Sequence, residues 1–134
     1  MRVARNLAAV AMIAVWVGGC TRYGHYAQAA GDVIDPETAA QTVVLEVRNV
    51  STQPMELRTV YNGESRFIGS VAGLDSAWVM LDPHIFPTGS LYLAAIPSDG
   101  RGRALVGPLA AAKGDRIRFT IQPALGMSNA IVVR

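Results

Sequence analysis

From Thr42 onward the chain alternates. In "RIRFTIQ" (116–122), Ile117, Phe119 and Ile121 fall on one side of an extended backbone, and Arg116, Arg118, Thr120 and Gln122 fall on the other. A period of two belongs to a strand with one buried and one wet face, because successive side chains of a pleated chain point to opposite sides. "TVVLEVRNV" repeats the pattern, with Val43, Leu45 and Val47 opposed to Val44, Glu46 and Arg48. "MELRTVY" does so again, with Met55 and Leu57 against Glu56 and Arg58. A chain patterned this way must pair strands over a shared core, and no convincing helical period competes with it.

The punctuation between these runs fits short strands. "NG" at 62–63 is a hairpin signal, since both residues tolerate positive φ, and "SRFIGSV" returns as the partner strand. A two-residue loop pairs Leu57 with Ile68, whereas a four-residue loop pairs Val60 with Phe67, and both registers stay open. "SAWVML" (76–81) reads as a strand closed by "DPHIFPTG", where two prolines forbid central pairing. "SLYLAAI" (90–96), the turn "PSDGRGR" and "ALVGPL" follow. Pro108 lacks an N–H and assigns that last strand to a sheet edge. After the "KGD" turn come "RIRFTIQ" and a closing strand, "NAIVVR". Seven to eight short strands predict an all-β fold, an antiparallel β-sandwich of immunoglobulin-like size over 43–134. An open-ended barrel is the alternative.

The first twenty residues follow another logic. "MRVARN" carries two arginines and no acid, and "LAAVAMIAVWV" runs from Leu7 to Val17 without a charge. A basic start and a short apolar core ending in small residues is the layout of an export signal, too short for a spanning helix of about 20 apolar residues. It ends in "VGGC", and Cys20 is the chain's single cysteine. Val17, Gly18, Gly19 and Cys20 resemble the lipobox of bacterial lipoproteins. The resemblance covers residues 1–20. It implies cleavage between Gly19 and Cys20, a diacylglyceryl group on the Cys20 sulfur and further acylation, of the palmitate class, on the new amino group. One acyl chain binds a membrane only marginally, so stable attachment takes at least two. An ordinary signal peptide cut in "AQAAG" (27–31) is the alternative. The resulting organisation is a signal helix at 1–19, a lipidated cysteine and flexible tether at 20–42, and the sandwich at 43–134. Within the tether, "DPETAAQ" supports one helical turn, with Asp35 as N-cap and Pro36 at the first helical position. Thr21 stands where an aspartate would, in some bacteria, favour the inner membrane, so the resemblance leans toward the outer membrane. The domain stretches "RFIGSVAG", "WVML" and "GSLYLAAIP" resemble small, uncharacterised lipoproteins with a sandwich domain, a resemblance that brings no activity with it.

Charge excludes one class of partner. Arg2 and Arg5 lie in the leader, and the remaining ten basic side chains balance ten acidic ones, all beyond Cys20. The basicity belongs to the export signal, and nucleic acid is not an expected partner. The chemistry of catalysis is thinly represented. His25 sits in the tether and His84 in "DPHIFP", two residues from Asp82, with no G-x-S-x-G nucleophile turn. A hydrolase built on His84 is therefore the weakest reading. Asp75, Asp82, Asp99 and Asp115 all fall in turns, where aspartate is expected to accept backbone N–H groups. No metal site of ordinary spacing and no cofactor motif is present.

Two strands break the one-sided rule. In 76–81, Trp78 and Met80 oppose Ala77, Val79 and Leu81, and in 90–96, Tyr92 and Ala94 oppose Leu91, Leu93 and Ala95. Either these strands are central and covered, with Trp78 a core residue, or they present an apolar or aromatic patch, anchored by Trp78 and Tyr92, to a partner, a glycan or the membrane surface. The expected function is a lipid-anchored envelope module that binds or assembles without catalysis, its partners the membrane through Cys20 and an envelope protein or glycan. A carbohydrate-recognition module, with Trp78, Tyr61 or Tyr92 stacking on sugar rings, is the alternative.

Overall fold

The computed structural model describes residues 27–29, 36–82, 84 and 91–134. Two sheets pack face to face. The first takes the order β1(Ala27–Ala29), β5(Ser76–Leu81), β2(Val43–Asn49), β8(Arg116–Ile121), β9(Asn129–Val133). The second takes β4(Glu64–Val71), β3(Met55–Tyr61), β6(Leu91–Pro97), β7(Ala104–Leu109). This is the expected all-β sandwich. All neighbours are antiparallel except β2 and β8, which run parallel, with Leu45 beside Ile117 and Val47 beside Phe119. A short helix, α1(Pro36–Gln41), covers most of the turn expected at "DPETAAQ", and its expected N-cap, Asp35, lies outside the described residues.

The alternation fills the space between the sheets. Val43, Leu45 and Val47 meet Val79, Leu81, Ile117, Phe119 and Ile121 on one inner face, and Met55, Leu57, Leu91 and Leu93 line the other. Phe119 is the largest fully buried side chain among the described residues, and truncating a residue of this kind costs about 3–5 kcal/mol.

The 62–63 hairpin takes the two-residue loop, not the four-residue one, and Val60 pairs with Ser65 and not with Phe67. Asn62 (φ 50) and Gly63 (φ 79) form a two-residue turn with positive φ at both positions, and Tyr61 pairs with Glu64. A bulge then shifts the ladder, so that Leu57 pairs with Gly69 and not with Ile68. The reason lies in the core. Ile68 and Val71 are three residues apart, and a regular strand turns only one of them inward. The extra residue lets both be buried. On β7, a register shift lies opposite Leu91–Leu93, and Ala104 and Leu109 are both buried despite their odd spacing. β4 and β7 are the two edges of the second sheet, where bulges interrupt a strand's capacity to template further pairing.

Two elements lie within the stretch expected to be a tether. β1 pairs antiparallel with β5, placing Ala27 opposite Val79, Gln28 opposite Trp78 and Ala29 opposite Ala77. It thereby satisfies backbone groups that β5 would otherwise leave open at an edge. α1 leads directly into β2, and Thr42 closes the junction by donating its hydroxyl to the Thr38 carbonyl and accepting the Gly114 N–H.

One polar cluster is buried where the chain crosses between sheets. The Asn49 amide donates to the Gln53 carbonyl (2.7 Å) and the Ala72 carbonyl (2.9 Å), and its oxygen accepts the N–H and hydroxyl of Ser51. Asn49 is 2% exposed. It joins the β2–β3 crossover to the β4–β5 crossover, and the Leu74 N–H donating to the Ser51 carbonyl reinforces the join.

Candidate functional site

With the core complete, what remains is the outer faces. On the first sheet, the pairing sets Trp78 beside Glu46, Glu46 beside Arg118 and Arg118 beside Ile131. Two rows flank it: Met80, Val44, Arg116 and Val133 on one side, and Ser76, Arg48 and Thr120 on the other. The Arg116 guanidinium reaches across β2 to lie 5.4 Å from the centre of the Trp78 ring, a cation–π contact. Arg118 donates to the Glu46 carboxylate at 3.3 Å. Arg48 is exposed and makes no ion pair among the described residues. Trp78 is half-buried and belongs to this face, not to the core, while its neighbours Ala77 and Val79 point inward.

Tyr92 stands on the opposite side of the molecule. It lies on the outer face of the second sheet, paired with Val60, in a region that also exposes Phe67 (49%) and Leu105 (47%). Its ring rests on Gly107 of β7, where a Cβ would come within 2.7 Å of the tyrosine Cδ1, so the ring covers the bulged edge. Arg58 crosses this face and is held by the Glu56 carboxylate and the Ser65 hydroxyl. Tyr61, one residue beyond Val60, turns the other way and packs against the end of the core, beside a small recess shared with Thr59, Glu64 and Arg66. The three aromatic residues singled out from sequence therefore occupy three separate places. Trp78 and Tyr92 do not form one patch, and no pair of them makes a common stacking platform.

The aspartates behave as turn chemistry requires. Asp75 accepts the Ser76 N–H, Asp82 the His84 N–H, Asp99 the Arg101 N–H and Asp115 the Ala112 N–H, all at 2.8–2.9 Å. Asp82 thus engages the backbone of His84, whose side chain is exposed. Among the described residues no three His, Cys, Asp or Glu side chains are grouped as a metal would need. A cleft of about 250 Å³ opens at one end of the sandwich between Thr52, Gln53, Asp99, Arg101 and Leu125. Gly19, Cys20 and His25 lie outside the described residues.

The pairing of β2 with β8 is what sequence reasoning missed. Alternation places Arg116 and Arg118 on the wet side of their strand, but only the parallel contact with a strand some seventy residues earlier brings them to Glu46 and Trp78.

No protein-family model matches the chain, and no curated protein is significantly similar to it. Among solved structures, an NMR structure of a protein from Eubacterium rectale is similar at 9% identity and a TM-score of 0.40, over 77% of this chain and 96% of the other.

Proposed function

We propose that the chain is a lipid-anchored lipoprotein of the cell envelope whose sandwich acts as a non-catalytic binding or assembly module. The leader ending in "VGGC" motivates the reading, and the position of β1 supports it over the alternative cleavage. The competing small-residue site, "AQAAG", overlaps Ala27–Ala29, the strand paired with β5. Cutting there would strip an edge strand from the first sheet and unpair one side of β5. Cutting before Cys20 leaves the sandwich whole. The function is then one of tethering, in which a membrane anchor raises the domain's effective concentration for neighbours on the same surface.

The test is the intact mass of the protein extracted in detergent from bacterial membranes, beside a Cys20→Ser form. The expected mass is that of a chain beginning at Cys20 plus acyl groups, with the serine form unacylated and released from the membrane. An unmodified chain beginning near Gly31 refutes the anchor.

A further inference from the structure

The anchor and the sandwich are closer together than a tether running to residue 42 implies. A 22-residue coil can extend to about 75 Å, but only seven peptide steps separate Cys20 from Ala27, a maximum of about 25 Å. Because β1 is an edge strand of the first sheet, the chain enters the domain beside Trp78. We infer that the outer face of this sheet, centred on Trp78 with Arg48, Arg116 and Arg118, docks on an anionic phospholipid surface. The inference rests on the anchoring proposed above.

Three observations select this face and this occupant. Its outward charges on β2, β5 and β8 are three arginines against one carboxylate, Glu46, whereas the outer face of β3 and β6 carries only the mutually paired Glu56 and Arg58. The excess is positive, as head groups of anionic lipid require, and each arginine near such a surface contributes about fivefold to binding. Trp78 and Met80 stand among these charges half-exposed, the amphipathic composition that favours the membrane–water interface. The short connection from Cys20 then keeps the face within reach of the head groups it matches.

Trp78 supplies its own probe, since the only other tryptophan is Trp16 in the leader. The full chain carrying Trp16→Phe, purified from bacterial membranes in detergent, is reconstituted into phosphatidylcholine vesicles with and without phosphatidylglycerol. Both contain phosphatidylcholine spin-labelled at the head group as quencher. The expected result is strong quenching of Trp78 only where phosphatidylglycerol is present, relieved by salt. An Arg48→Gln/Arg118→Gln form should lower the docked-to-undocked ratio by about 25-fold while still floating with the vesicles. The salt titration of the unsubstituted face keeps the test valid should the double variant fold poorly. A chain that floats with vesicles but shows equal quenching in both, or none in either, overturns the docking face and leaves the anchor standing. If the chain and its Cys20→Ser form are both found free of phosphatidylcholine vesicles, the anchor fails. The face is then judged on the same chain at low salt: quenching by phosphatidylglycerol vesicles upholds it, and absence of quenching overturns it.

Discussion

Asn49 is the residue whose loss should cost the fold most for its size. Asn49→Ala removes four hydrogen bonds. The Gln53 carbonyl keeps the Ser51 hydroxyl at 3.2 Å, so the damage concentrates on the Ala72 carbonyl and the Ser51 N–H. An orphaned buried polar group costs about 1–3 kcal/mol, and with some relief from water the expected loss is about 3 kcal/mol. For a domain of this length that is a fall in melting temperature of about 15 °C. Urea denaturation of the full chain followed by circular dichroism measures the loss directly. A second variant separates the direction of the bonds from the volume of the side chain. Asn49→Asp keeps the shape and both accepted bonds but turns a carboxylate toward two carbonyl oxygens, so at neutral pH it should be at least as destabilised as the alanine form. Protonation restores a donor, and the folded state therefore favours the acid form over the ionised one. Stability relative to the unsubstituted chain should rise as pH falls through the carboxylate range and stay low above it. A loss under about 1 kcal/mol in both variants refutes the argument and assigns the corner to its backbone bonds, such as Leu74 N–H to Ser51 carbonyl and Asn49 N–H to Asp75 carbonyl.

Two further substitutions test the same corner from its backbone. Gly73→Ala would place a Cβ 2.1 Å from the Thr52 carbonyl oxygen, so one crossover must move; a loss of about 2–3 kcal/mol is expected in the same denaturation assay, and a neutral result would show that the crossovers slide freely. Leu74 holds φ 57 with 70% of its surface exposed, so Leu74→Gly relieves backbone strain while giving up little burial. Relief of about 1–2 kcal/mol, less the added freedom of the unfolded chain, predicts a net gain of about 0.5–1 kcal/mol, and a loss would contradict it.

The strands from β2 to β9 were legible because β2, β3 and β8 alternate cleanly and the others are short apolar runs bounded by turn residues. Asn62-Gly63, Pro108 and the four turn aspartates were legible for the same local reason: φ, a missing N–H or a neighbouring backbone amide decides their role. β1 was not, since "AQA" is too short and too weakly apolar to show a period, and its conformation comes from the unpaired edge of β5. The bulges were hidden as well. An alternation count sees Ile68 and Val71 as out of phase, and only the filled core shows that an inserted residue brings both inward.

The candidate site was legible in part. Alternation reports which side of a strand a residue takes but not which sheet the strand joins. Trp78 and Tyr92 look equivalent along the chain, each an aromatic residue opposed to small and aliphatic neighbours. The connection from β5 to β6 crosses between sheets, and the two end on opposite outer faces. Charge carries the same lesson. Beyond residue 20, acidic and basic side chains balance, which argues against a polyanion-binding surface as a whole. That sum is silent about distribution. Five of the acids outside the tether serve turns or ion pairs at strand ends and on the second sheet, whereas the parallel contact of β2 with β8 gathers Arg48, Arg116 and Arg118 around a single carboxylate. A charge-balanced stretch thus acquires a cationic face through pairing alone, and the residues responsible lie too far apart in sequence for any local reading to collect them.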